Sequence, residues 1–250
     1  MRTRARVPAA ARRLTLGLLT AFGAQLTPGT VQAQTMDQMN YLFIMIDGLE
    51  HARGLGERPV LLDAEGWYGG DFNRFWFKVA GDVSTRESGG EFEAQALFSR
   101  LISPWWDLQM GVRMDRAWGG GSQTRPHLVF GIQGLAPYWF EVESTAFVDV
   151  DGNVSAQISA AYDVLLSQSL ILEPEVEVGL ALQDVPEWGI GSGMHELDLG
   201  ARLRWEIKRE FAPYLGYVWS RSFGETADLR RLSGAAYREG SLVFGIRAWY

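Results

Sequence analysis

The sequence contains no cysteine, which excludes disulfides and thiolate metal sites together. It has only three histidines, and no apolar run reaches the roughly 20 residues that a membrane-spanning helix needs. A phosphate-binding loop, an H-E-x-x-H pair and a calcium loop are all missing. Basic residues thin out after the start: five arginines fall within residues 1–33, leaving 18 basic against 30 acidic residues in 34–250, a net charge of −12. That balance disfavours nucleic acid, whose phosphates want a basic face, and it suits cations. A chain of this size without disulfides needs another source of stability.

What is present begins with a leader. Arg2, Arg4, Arg6, Arg12 and Arg13 precede an apolar run from Leu14 to Phe22, and Val31-Gln32-Ala33 ends in small residues before Gln34. Basic, apolar and small-residue regions in that order predict a secretory signal peptide over residues 1–33 and hence export. Residues 34–40 read as a short periplasmic segment. Residues 41–250 read as one domain, because no Pro/Ser tract or shift in composition follows Asn40.

From Tyr41 onward the chain breaks into twelve segments of alternating polarity separated by Gly, Pro, Asp and Ser. The first is Tyr41–Glu50, the eighth Val154–Leu165, the tenth His195–Glu206 and the last Ser241–Tyr250. Between Trp105 and Asp115, Trp106, Leu108, Met110, Val112 and Met114 share one parity, and Asp107, Gln109, Gly111 and Arg113 share the other. Glu173, Glu175 and Glu177 make a similar polar file, as do Asp198, Arg202 and Arg204. Each repeat matches a tilted membrane-spanning strand of about 9 to 11 residues. Short even-numbered connections alternate with mostly long odd-numbered ones, as periplasmic turns alternate with outer loops. Aromatics including Trp67, Tyr68, Phe72, Trp105, Trp106, Tyr138, Trp139, Phe140, Phe211 and Tyr214 collect at the inner end as a girdle. In the terminal "GSLVFGIRAWY", Leu242, Phe244, Ile246, Ala248 and Tyr250 share a face, which suits a strand that closes the sheet against lipid. The fold expected is all-β: a transmembrane antiparallel outer-membrane β-barrel of about 12 strands.

Several stretches carry a family likeness: "DGLEHARG", "EGWYGGDFNRFWFKVAGD", "APYWFEVESTAFV" and the block from Gly189 through "SFGETADL". In these the chain resembles the copper resistance protein B family of Gram-negative outer membranes, over about residues 40 to 250. The resemblance implies copper resistance, a monomeric barrel, and copper ions and periplasmic copper-handling proteins as partners. It also implies a Met- and His-rich segment ahead of the barrel, which here shrinks to "QTMDQMN" with Met36 and Met39 alone.

Copper(I) takes thioether and imidazole, and copper(II) takes imidazole and oxygen. The topology puts His51, His127 and His195 on the outer side, with Met194 beside His195, so these four are a candidate copper-capture set. Met36 and Met39 are a second candidate at the periplasmic mouth. Ordinary loop histidines and a disordered linker are the competing readings. Lumen-facing Glu141, Glu143, Glu173, Glu175 and Glu177 face inward-pointing Arg74, Lys78, Arg113, Arg202, Arg204 and Arg247, as a charge-paired interior or a cation path. Ser192 and Ser122 lie near His195 and His127 in sequence, but no hydrolase motif accompanies them, so no enzyme is expected. The alternative function is a non-specific porin-like or structural barrel without a metal role.

Overall fold

The computed structural model describes residues 39–54, 60–83, 89–119 and 121–250. Its strands are β1 (Tyr41–Gly54), β2 (Val60–Gly69), β3 (Asn73–Val83), β4 (Gly90–Ser103), β5 (Trp106–Trp118) and β6 (Gln123–Ala136). Then follow β7 (Phe140–Asp149), β8 (Val154–Ala161), β9 (Val164–Leu165), β10 (Leu170–Ala181), β11 (Gly193–Trp205), β12 (Phe211–Ser222) and β13 (Arg238–Trp249). The two-residue β9 pairs with β10 just beyond β8, so β8 and β9 are one stave interrupted at Tyr162 and Asp163. Each remaining strand pairs antiparallel with its sequence neighbours, and β13 pairs with β1. Twelve staves therefore form a closed barrel with no free edge.

The closing ladder runs to the last residue. Ile44 N–H donates to the Tyr250 carbonyl at 3.0 Å, and Tyr250 N–H donates to the Ile44 carbonyl at 2.8 Å. Alternation places Leu108, Met110, Val112 and Met114 outward and exposed, with the same pattern in Leu242 and Phe244. An apolar exterior of this kind is stable only against lipid. Tyr68, Phe72, Trp105, Tyr138, Trp139, Phe140 and Phe211 are exposed at the inner end, forming the expected girdle. Trp67 and Tyr214 do not join it: Trp67 stacks inside on Phe43 at 6.1 Å, and Tyr214 is buried in the lumen.

Two other expectations change. Several outer loops are shorter than the sequence suggests, because β1, β5 and β6 extend past the bilayer by continuing their cross-strand ladders. The segment expected to be a loop at 222–240 contains a helix, α1 (Gly224–Ser233), which ends on left-handed Gly234. No helix is long and apolar enough to cross a membrane among the described residues.

Candidate functional site

The lumen has two unlike walls. Trp67, Trp76, Leu97, Gly111, Val129 and Phe147 are directly opposite one another on successive strands β2 to β7. Four of them bury together, with Trp67 packed against them. Gly111 is the hinge of this row, because a Cβ there would collide with the Ala96 carbonyl. One side of the interior is thus a packed apolar core, filled as in a small barrel.

The opposite wall is charged. Arg247 Nε meets Asp47 at 2.9 Å, and its Nη1 meets Glu173 at 3.2 Å. Arg204 joins the same Glu173 and also Asp163 at 2.8 Å. Arg202 bridges Glu175 and Glu50, the latter at 2.7 Å. Glu50 further accepts the Tyr214 hydroxyl at 2.9 Å. Glycines permit this span: a Cβ at Gly216 would press on Arg202 Cγ, and one at Gly245 would lie 2.5 Å from the Tyr214 ring. Across the lumen Lys78 binds Glu143 at 2.6 Å, and Arg113 binds Glu93 at 2.7 Å. The charge-paired interior is present.

It is not fully paired. Asp63, Glu65, Glu141 and Glu177 face a lumen cavity of ≈ 960 Å³ with no basic partner at ion-pair distance among the described residues. Among the described residues, Glu177 accepts the Gln157 amide at 2.6 Å. The surplus of acid gives the cavity a field attractive to cations.

The candidate ligands are dispersed around this cavity. His127 is buried inside, its Nε2 2.9 Å from Asp115, with its ring edge-on to Phe147. His195 lines the cavity, whereas its neighbour Met194 faces outward and is exposed. His51, opposite lipid-facing Phe244, also faces outward. The histidines therefore do not converge with Met194 on one point, and no cluster of three His, Cys, Asp or Glu side chains is poised for a metal among the described residues. Met39 is exposed ahead of β1, and Met36 lies outside the described residues.

A bulge explains His195. Leu180 pairs with Met194 and Gly179 with Glu196, so His195 is an extra residue on β11. Both His195 and Glu196 consequently reach the cavity. Gly179 provides the space, since a Cβ there would lie 2.5 Å from the imidazole Cε1.

A family model for the copper resistance protein B precursor matches residues 40–250. The chain belongs to the copper resistance protein B family. Copper resistance protein B of Escherichia coli is 39% identical over 212 residues, covering 85% of this chain and 70% of that protein. A copper resistance protein B homolog of Pseudomonas syringae pv. tomato is 36% identical over 217 residues, covering 87% and 72% respectively. Among solved structures, a NanC porin superposes with a TM-score of 0.51 at 11% identity, covering 83% of this chain and 99% of that one, which shows a shared outer-membrane barrel fold.

This barrel has a folded outer lid. Loop 182–192 and α1 meet over the cavity, where Gly191 N–H donates to Thr226 Oγ1 at 2.7 Å. A Cβ on Gly191 would strike Glu225 and Thr226, so only glycine allows that approach. Arg230 of α1 then reaches down to Glu196 at 3.2 Å, and Arg125 lies 5.7 Å from the Trp188 ring. Sequence reasoning overlooked Asp63, Glu65, Glu50 and Tyr214 as lumen residues. The first two share the parity of Trp67 on β2 and could have been found by following it.

Proposed function

We propose that this family member is a non-enzymatic outer-membrane protein of copper resistance whose lumen draws in copper ions and passes them between outside and periplasm. Family membership supports the copper role, and the observation that carries the route is the unpaired carboxylate surface around His195. Copper(II) favours imidazole and oxygen donors, and weak, separated donors let an ion leave as readily as it enters. His195, Glu177 and Glu141 are the steps of this route, and ligand exchange replaces any covalent chemistry. His127 serves as a deeper imidazole held by Asp115. Met36 and Met39 offer thioethers at the periplasmic end, where a copper-handling protein would collect the ion. His51 on β1 and Met194 on β11 face outward with β12 and β13 between them, and they lie outside this route. The protein acts as a monomer in lipid.

Isothermal titration of copper(II) into detergent-solubilised protein tests the route. His195→Ala is expected to weaken binding by at least roughly tenfold. Gly179→Val, which displaces the imidazole without removing it, should do the same. Unchanged affinity in both would remove His195 from the route. A deletion strain grown in graded copper separates this reading from a porin-like barrel, which predicts no change in tolerance specific to copper.

A further inference from the structure

The lipid-facing surface carries a pair of like charges. Arg221, next to last on β12, and Arg238, first on β13, are direct cross-strand partners. Both are exposed and share the outward parity of Tyr217, Leu242 and Phe244. Two like charges directly opposite on one face repel. Neither arginine has a carboxylate partner among the described residues; Arg221 only stacks on Phe223, 4.9 Å from the ring centroid. Tyr217 points up toward the pair: a Cβ on Gly240 would collide with its hydroxyl, so this glycine clears the path.

Height identifies the environment. Ten residues separate Phe211 in the inner girdle from Arg221, which at about 3.3 Å per residue and a tilt of about 40° gives roughly 25 Å. That is the thickness of the apolar band, so the pair stands at the outer interface, where lipid headgroups begin.

We propose that Arg221, Arg238 and the Tyr217 hydroxyl form a clamp for a phosphate of an outer-leaflet glycolipid of the lipid A type. Two guanidinium forks on adjacent strands suit bidentate capture of one phosphate, which would convert their repulsion into a bridged pair. Leu242 and Phe244 below offer a surface for the acyl chains. In an otherwise acidic protein, this pair provides a local attraction for an anionic lipid that the lumen would repel.

Native mass spectrometry of the full barrel, released from micelles carrying equal amounts of bisphosphorylated and dephosphorylated lipid A, tests the clamp. The wild-type protein should retain the phosphorylated lipid about tenfold more than the other, and Arg221→Ala/Arg238→Ala should abolish that preference. Tyr217→Phe should reduce it without abolishing it. Heat-modifiable gel mobility first confirms that each variant is folded. Equal retention of both lipids by the wild type, or an undiminished preference in the double arginine variant, overturns the proposal.

Discussion

Replacing Glu50 by alanine probes the seam that closes the barrel. Glu50 is 6% exposed and accepts two hydrogen bonds, from Tyr214 at 2.9 Å and Arg202 at 2.7 Å. Its loss strands a buried phenol hydroxyl, a penalty of about 1–3 kcal/mol. It also removes one of two carboxylates from Arg202, which keeps Glu175, so the second penalty stays below the roughly 3–5 kcal/mol of a fully orphaned buried charge. Together the substitution should destabilise by about 3 kcal/mol. With a urea slope near 3 kcal/mol/M, the unfolding midpoint in micelles falls by about 1 M. Glu175→Ala is the control: its side chain is 32% exposed and, among the described residues, ion-pairs with Arg202 only, so its loss should amount to about 1 kcal/mol or less. Glu50→Gln keeps an acceptor for Tyr214 and should fall between them. If Glu175→Ala proves as damaging as Glu50→Ala, burial and shared acceptance are not what hold the β13–β1 seam.

Acid stability and the outer lid give two further tests. Asp149, the last residue of β7, caps the outer turn 149–153: burial opposes its ionisation, but hydrogen bonds from Asn153 and Arg125 outweigh it and hold the carboxyl at about 2 against an ordinary 3.8. A depressed folded value stabilises fully above the unfolded value and is lost as pH falls through the folded one, so about 2 kcal/mol should disappear between pH 4 and 2. Asp149→Asn should be less stable at neutral pH and should lose less in that window; equal acid sensitivity in the two proteins, by denaturant midpoint, would refute the assignment. At the lid, Gly191→Val must push α1 away from loop 182–192, so single-channel conductance in planar bilayers should rise while the barrel stays heat-modifiable; unchanged conductance would mean that these segments do not cover the lumen.

Residues 41–250 are legible as a barrel because a lipid exterior and a polar interior impose a two-residue period on nearly every strand, and a closed sheet demands pairing at both ends. The apolar wall is harder to read, since Trp76, Leu97, Val129 and Phe147 break the polar-inside rule only because Gly111 lets them meet across β5. The dispersal of the candidate ligands has a sharper reason. Parity counted from Asp47 turns His51 inward, but β1 carries an extra residue between Ile46 and Leu49, so Glu50 faces the lumen and His51 the lipid. Parity counted from Asp198 turns Met194 inward, but the bulge at His195 reverses it and brings the imidazole in. One extra residue exchanges the two faces for everything beyond it, and no local propensity announces where it falls. Both bulges lie beside glycines, Gly48 on the same strand and Gly179 on the facing one, each with a side chain resting over its bare Cα. A glycine alone does not mark such a slip, because Gly111 and Gly216 lie in alternating strands whose register is unbroken there. The extra residue on β11 is visible only in its ladder with β10, where Gly179 leaves the space that the His195 imidazole enters.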